Sequence, residues 1–347
     1  MKQLSTQEIS RGPIPMGDGE ELLKIYHDLY TPVSDDVLTL SQKHRSQIED
    51  YALQAAMAYG NEDGPEQTRV QAEHGIPALV VRVDCTVDTE GNIVAYEMED
   101  SPSGQGITHT LVQRIDGVGL KDKILEHYNH HLGEIPHILV SGLRGHGTDD
   151  ALIVGEQRYS YPGLPKNGNH PVIVKSIPGV PESHLPHMHL QDRAVAPLIT
   201  EGNKMYGERL GQLKPVNSPD DLLRDSHGEL VSQVLKRRIG SMAMGIHIYL
   251  NNTDRKIHGK NGSVTVTKLS AKTIEYASTD GALTQRFVAP VQLDNAKGAN
   301  NAILRVFVLL SGGTVPSAEA IGGCYVARPT LIVHGASDSV NGAILVE

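Results

Sequence analysis

Four charged side chains alternate along two short segments that are typical of neighbouring β-strands. Arg82 and Asp84 lie in the first segment, and Glu97 and Glu99 lie in the second. Residues two apart in a strand point to the same side, so a hairpin that pairs these faces would gather three carboxylates beside an arginine. Clustered carboxylates repel unless a cation lies among them, and Mg²⁺ prefers such oxygen ligands together with phosphate oxygens. A hairpin with ordinary surface charges has the same spacing, so the spacing leaves both interpretations open.

Two lysines have positions from which they could neutralise nucleotide phosphates. Lys236 ends a predicted strand, and Gly240 follows in the loop RRIGSMAMG before the next strand. A lysine at a strand end can fold over phosphates together with a flexible glycine loop, although this pattern differs from the Walker A motif. Lys204 lies at a predicted helix start and carries no signal alone. Basic loops between strands are common, so neither lysine establishes a nucleotide site.

A candidate base-binding junction lies farther along the chain. An adenine ring needs backbone donors and acceptors where a strand passes into a loop, and the segment Gln285–Pro290 has that character. Arg305 lies in an otherwise apolar strand, where a buried arginine would need an anionic partner. An outward-facing position at a sheet edge is the alternative for Arg305.

Composition narrows the kinds of partner. The chain has 347 residues, 39% hydrophobic and 21% charged, which is typical of a globular protein with two packed subdomains. The net charge of −10 and the lack of a long basic run argue against nucleic acid as a partner. Two cysteines, Cys85 and Cys324, favour a reducing cytoplasm over a disulfide framework. No stretch approaches the roughly 20 apolar residues that a membrane span needs, so no membrane partner is expected.

The pattern of apolar residues predicts the elements that must position these side chains. Helices are predicted within residues 19–60, 120–134 and 187–222. Strands are predicted at 137–143 and 170–177 and through most of the last third, which indicates an antiparallel sheet with helices, an α+β arrangement. Ser218 and Asp220 are predicted to cap a helix. Asp338 and Asn341 are interpreted as oxygen donors in a closing loop.

Taken in order, these segments resemble the circularly permuted ATP-grasp family, the relatives of glutathionylspermidine synthetase. The resemblance spans roughly residues 75–347, with Asp338 as a match to the closing acidic loop. The other matching segments are Arg82-Val83-Asp84, Glu97-Met98-Glu99, Pro102-Ser103-Gly104, Asn203-Lys204, Lys236 to Gly245, Gln285, Arg305-Val306-Phe307-Val308, and Gly322-Gly323 with Arg328 downstream.

The resemblance implies an α+β (α/β) fold of the ATP-grasp type, with antiparallel sheets flanked by helices. It implies an ATP-dependent ligase that binds ATP and Mg²⁺ and joins a small-molecule or peptide carboxylate to an amine through an acyl phosphate. In that scheme Asp84, Glu97 and Glu99 hold the metal, while Arg82 and Arg305 stabilise the transferring phosphoryl group. The residues implied for nucleotide binding are Lys204, Lys236, Gly240, Gln285, Phe287 and Val288.

The chain departs from the family pattern in three places. Glu99 stands where asparagine is usual, the loop SMAMG lacks an arginine between its glycines, and the usual lysine-aspartate-threonine-tryptophan ending is missing. A degenerate nucleotide-binding regulatory or scaffold protein is therefore the alternative, and homo-oligomerisation is left open. The expected division is an N-terminal helical region (1–75), a metal- and phosphate-binding part (76–135), a central α/β subdomain (136–200) and a nucleotide-binding region (201–347).

Overall fold

The computed structural model describes fifteen segments of the chain. They are residues 33–60, 75–76, 79–99, 104–140, 152–155, 159–160, 172–175, 197–200, 214–237, 247–251, 257–258, 264–266, 282–293, 301–329 and 339–347. Lys204, Gly240 and Asp338 lie outside these segments, as do residues 1–32 of the predicted N-terminal helical region.

Strands carry most of the described structure. In chain order they are β1 (Val33–Leu40), β2 (Val80–Val87), β3 (Ile93–Glu99), β4 (His137–Val140), β5 (Tyr159–Ser160), β6 (Val172–Lys175), β7 (Pro197–Thr200), β8 (Lys214–Val216), β9 (Gln233–Arg237), β10 (His247–Tyr249), β11 (Ile257–His258), β12 (Val264–Val266), β13 (Ala282–Arg286), β14 (Val291–Gln292), β15 (Asn301–Ser311), β16 (Ser317–Arg328) and β17 (Val340–Val346). The helices are α1 (Gln42–Gly60), α2 (Gln105–Asp116) and α3 (Lys121–Leu132).

The strands form three sheets. The main sheet has the order β1-β17-β16-β15-β2-β3, with β14 also beside β15, and its pairs are antiparallel except β1 with β17. A second sheet has the order β11-β12-β10-β9-β13-β8 and is mainly antiparallel. A third, parallel sheet has the order β5-β4-β6-β7. The predicted α+β class with antiparallel sheets flanked by helices is thus confirmed at this coarse level.

Helices cover both faces of the main sheet. Helix α1 packs against β3, β15 and β16 on one face, where its Tyr51 lies in the same core as Cys85. Helix α2 packs against β16 and β17 on the other face, where a side chain at Gly322 would meet Val112 and Leu120. A sheet covered on both faces needs nearly continuous apolar strands, which explains the run ILRVFVLL in β15. Each fully buried Val, Leu or Ile there contributes roughly 1.5–3 kcal/mol.

Several predicted elements differ from the structure. Residues 33–40 form strand β1 rather than the start of the predicted helix, because they pair in parallel with β17 at the sheet edge. In the predicted helical stretch 187–222, the described parts are β7, β8 and a single 3₁₀ turn over Pro219–Asp221. Ser218 caps that turn, and Asp221 rather than Asp220 completes the capping box.

Near the end of the chain, one strand has no counterpart among the predicted elements, and the interpretation of Asn341 as a loop residue is wrong. IGGCYVAR belongs to β16, and Asn341 is buried within β17 instead of standing in an open loop. Close contact with β15 explains why this strand carries glycine at position 323. A Cβ at this position would overlap the carbonyl oxygen of Arg305 on β15 and lie 3.0 Å from the Val306 Cα.

We expect Gly323→Ala to lower the free energy of unfolding by about 1–3 kcal/mol, because the neighbouring backbone must move to admit the methyl group. Chemical denaturation measures this change. A matched control is Gly133→Ala at the end of α3, where φ is 77° and no atom lies within 4 Å of an added Cβ. That control carries only the backbone cost of about 1–2 kcal/mol. Equal stability of Gly323→Ala and the wild type would contradict the packing described here.

Candidate metal and phosphate site

The register of three neighbouring strands brings the predicted charged residues onto one face. Asp84 on β2 lies directly opposite Glu97 on β3, and Arg82 lies directly opposite Glu99. On the other side of β2, Arg305 of β15 lies opposite Asp84. Residues directly opposite in adjacent strands share a face, so all five side chains lie on the face that α2 covers. The structure therefore places the predicted cluster together.

Arg82 is fully engaged with carboxylates. Its Nε donates to Asp84 Oδ1 at 2.7 Å, and its Nη2 donates to Asp84 Oδ2 at 3.2 Å and to Glu99 Oε1 at 2.5 Å. The Arg82 and Asp84 side chains are each 4% exposed, and that of Glu99 is 14% exposed. The expectation from the sequence was that Arg82 binds a phosphoryl group. In the structure its Nε and Nη2 hold two carboxylates in place, since the planar fork matches their geometry, and phosphoryl binding by Arg82 stays a prediction.

Three carboxylates meet the chemical requirements of a divalent-metal site. One oxygen each from Asp84, Glu97 and Glu99 can be chosen so that all three lie within 4.8 Å of one another. Glu97 and Glu99 are only partly buried, so the cluster is reachable from solvent. Carboxylate oxygens are the donors that suit Mg²⁺, so these residues fit that ion.

Arg305 differs from Arg82 in being only weakly engaged. Its Nε lies 3.4 Å from Asp84 Oδ2, and its side chain is 22% exposed. Among the described residues, the Nε of Arg305 has no hydrogen-bond partner. The edge position considered from the sequence is wrong, because β15 is a central strand and Asp84 is the anionic neighbour. Arg305 is thus the guanidinium of this cluster that can bind an added anion.

The electrostatics of the cluster centre on Glu99. Burial raises the pKa of the Glu99 carboxyl to about 7, and the charges of Asp84 and Glu97 add to the rise, while Arg82 and Arg305 oppose it. Burial alone lowers the pKa of Arg82, but Asp84 and Glu99 raise it above its ordinary value, so this guanidinium stays charged. With Glu99 protonated, two carboxylates balance two guanidiniums.

Metal affinity should depend on pH because of Glu99. The carboxyl pKa is raised from 4.5 to about 7, so below pH 7 a metal must displace a proton from it. We expect Mn²⁺ affinity to fall about tenfold for each pH unit below 7 and to level off above it, since one proton is released for each ion bound. The same shift means that the metal-free fold loses stability as the pH rises from about 4.5 to 7.

Electron paramagnetic resonance of free Mn²⁺ across this pH range measures the effect. Glu99→Gln is the control, because glutamine does not titrate there and should give weaker but pH-independent binding. A wild-type affinity that stays constant between pH 6 and pH 8, roughly one unit either side of the shifted pKa, would contradict the role of Glu99.

The predicted base-binding junction connects two sheets. Strand β13 ends at Arg286 in the second sheet, and β14 begins at Val291 in the main sheet. Phe287 packs beside Val234 and Ile248, and its N–H donates to the Ser232 carbonyl at 2.9 Å. The strand-to-loop transition predicted from the sequence is therefore present at this point.

Hydrogen bonds tie this junction to the hairpin that carries the carboxylates. The Tyr96 hydroxyl donates to the Val288 carbonyl at 2.9 Å, and Thr86 Oγ1 donates to the Ala289 carbonyl at 3.1 Å. Gln285 is 6% exposed, and its Nε2 donates to the Ala95 carbonyl at 3.1 Å. Within the part of the chain that the structure describes, no hydrogen bond engages the Val288 N–H or the buried Gln285 Oε1. The Val288 N–H and the Gln285 Oε1 therefore keep unused hydrogen-bonding capacity.

The remaining predicted residues are placed less fully. Lys236 lies in β9 opposite Leu283 of β13, as its predicted position near a strand end requires. Tyr96 and Thr86 are not among the predicted site residues, although both form hydrogen bonds with the junction. Tyrosine and threonine are ordinary strand residues, so their types carried no signal.

Comparisons with protein families and with curated proteins identify no relative of this chain. Neither a protein-family model nor a curated protein sequence matches this chain. Of the helices in the described segments, none combines the length and apolar character needed to cross a membrane. The function is therefore inferred from the cluster and the junction beside it.

Proposed function

We propose that this chain is an ATP-grasp ligase that uses ATP and Mg²⁺ to join a small-molecule or peptide carboxylate to an amine. One observation carries the proposal. Three carboxylates and two guanidiniums converge on one sheet face, and hydrogen bonds join that hairpin to the connection between two sheets. Phosphoryl transfer needs positioning and charge neutralisation more than covalent chemistry, and this arrangement can supply both.

Each side chain of the cluster has a task in this proposal. Asp84, Glu97 and Glu99 hold Mg²⁺, which when bound neutralises phosphate charge. Arg82 keeps two of these carboxylates in place through its paired hydrogen bonds. Arg305 faces the same cluster and binds the transferring phosphoryl group or the acyl phosphate. Removing water from such a site strengthens each of these interactions.

Nucleotide binding in the proposal extends beyond the cluster. The junction Gln285–Val288 holds the base, with Phe287 in the adjacent apolar group. Lys204, Lys236 and Gly240 contact the phosphates, as the resemblance implies.

The two free thiols, Cys85 and Cys324, fit a reducing cytoplasmic compartment.

The proposed reaction has two balanced steps. A carboxylate oxygen of the first substrate attacks the γ-phosphorus of ATP, and the bond from that phosphorus to the β,γ-bridging oxygen breaks to release ADP. The amine nitrogen of the second substrate then attacks the acyl carbon, phosphate leaves with the bonding electron pair, and the amine loses a proton. No covalent enzyme intermediate is required, so no nucleophilic side chain is needed.

Release of ADP tests the ligase proposal. The full chain is incubated with ATP, Mg²⁺ and mixtures of carboxylates and amines, and ADP is followed by a coupled assay. We expect ADP to form only when both a carboxylate and an amine are present. If ADP forms with a carboxylate alone and a stable phosphorylated product accumulates, the ligase proposal is wrong and the protein is a kinase.

A specific observation favours one second candidate. Arg82 and Arg305 neutralise the cluster without a metal when Glu99 is protonated, as in a structural ion-pair network. In this alternative the chain is a catalytically degenerate ATP-grasp protein with a regulatory or scaffold role. Such a protein would bind ATP but release no ADP with any pair of substrates.

A further inference from the structure

Strand β3 contains an irregularity at the residue before the metal-facing Glu97. Asp84 pairs with Glu97, but the next residue, Cys85, pairs with Ala95. Tyr96 is therefore the extra residue of a β-bulge in the pairing of β2 with β3. A bulge bends its strand and re-aims the side chain at that point.

Three successive residues around the bulge, Ala95, Tyr96 and Glu97, contact either the junction or the carboxylate cluster. Glu97 belongs to the carboxylate cluster, while the Ala95 carbonyl accepts from Gln285 of the junction. Between them, the Tyr96 hydroxyl donates to the Val288 carbonyl at 2.9 Å. The backbone that positions Glu97 is thus held to the junction on its immediate N-terminal side.

The hydrogen bond from Tyr96 reaches the junction residue whose backbone N–H keeps its donor for a ligand. Tyr96 binds the carbonyl of Val288, and the N–H of the same residue is unused within the described segments. A base that engages this N–H would fix the Val288 peptide and, through Tyr96, the bulge. Fixing the Val288 peptide at the junction therefore favours a fixed position of the bulge before Glu97, and the reverse also holds.

We propose that Tyr96 is a positioning residue that couples base binding at the junction to metal binding at the carboxylate cluster. This inference rests on the proposed function, because it assumes that the junction holds a base and that the cluster holds a metal. Coupling between two sites is reciprocal, so a base that raises metal affinity must itself bind more tightly when the metal is present.

The test uses adenosine, which lacks phosphates and cannot touch the metal directly. Mn²⁺ affinity of the full chain is measured with and without saturating adenosine, and adenosine affinity with and without Mn²⁺. For the wild type we expect adenosine to raise Mn²⁺ affinity by at least about fivefold, the lower end of usual coupling. In Tyr96→Phe, which removes only the hydroxyl, this enhancement should disappear. The separate affinities should change less than about threefold, since neither ligand contacts the hydroxyl.

Tyr325→Phe is the matched control. It removes a tyrosine hydroxyl that donates to the Asp36 carbonyl at 3.3 Å, elsewhere in the same sheet. A purely structural effect of losing a hydroxyl would alter stability in both variants, but only Tyr96→Phe should change the coupling factor.

The outcomes separate this inference from the proposed function. Full coupling in Tyr96→Phe, or adenosine that fails to bind or leaves the wild-type Mn²⁺ affinity unchanged, overturns the inference while metal binding stands. Absence of both Mn²⁺ and ATP binding in the wild type overturns the proposed function and the inference with it.

Discussion

Asp84→Asn is expected to abolish Mn²⁺ binding and to lower the free energy of unfolding by about 3 kcal/mol. Asp84 is 4% exposed and accepts two hydrogen bonds from Arg82, with Arg305 3.4 Å away. Removing its charge leaves two buried or half-buried guanidiniums with less compensation. The cost stands at the low end of the range for broken buried pairs, because Glu99 still binds Arg82. Mn²⁺ titration and urea denaturation measure the two effects.

Glu97→Gln separates metal binding from stability. Glu97 is partly exposed, whereas the Asp84 side chain is 4% exposed. We expect at least about a tenfold loss of Mn²⁺ affinity, roughly 1.4 kcal/mol, with less than about 1 kcal/mol lost in stability. Wild-type Mn²⁺ affinity in both Asp84→Asn and Glu97→Gln would show that the cluster is a structural ion-pair network.

Arg305→Met is expected to weaken ATP binding about 100-fold, or roughly 2.7 kcal/mol, while Mn²⁺ affinity stays equal or rises. The guanidinium of Arg305 is available to an anion, and its loss removes a positive charge near Asp84. AMP, which lacks the distal phosphates, should bind the variant as it binds the wild type. Calorimetric titration of both nucleotides in the presence of Mg²⁺ measures the difference.

Arg224→Met provides the control for charge. Arg224 is exposed and lies outside both the junction and the cluster, so its loss removes the same charge without removing a group that faces the cluster. Its effect on ATP affinity should stay below about threefold, because exposed charges are screened. Similar losses in both arginine variants would indicate a general charge effect instead of a contact by Arg305.

Much of the cluster could be predicted from the sequence because strand geometry is simple. Alternation placed Arg82 with Asp84 and Glu97 with Glu99, and the hairpin register then followed from one turn between two runs. What the sequence could not supply was the bulge at Tyr96, which depends on how the two strands pair beyond the carboxylates. It also could not show that Arg82 binds both Asp84 and Glu99.

Each helix or strand that the sequence failed to predict differs from the prediction for a physical reason. Val37 and Leu40 in β1 have spacing compatible with a helix, but pairing with β17 decides their conformation. Helix α2 was missed although its Ile107 and Leu111 are buried at helical spacing, because glycines and threonines around them weaken the pattern. Strand β16 was not predicted because its two glycines are weak strand formers, and they are needed here for close packing against β15 and Leu120.

The claim that ATP binds this chain through a metal held by Asp84, Glu97 and Glu99 is tested most directly by calorimetry. ATP is titrated into the full chain with and without Mg²⁺, and the titration with Mg²⁺ is repeated on Lys236→Ala. We predict that ATP affinity falls at least about tenfold, roughly 1.4 kcal/mol, when Mg²⁺ is omitted and again in the lysine variant. No ATP binding with Mg²⁺, or equal binding without it, would contradict the claim.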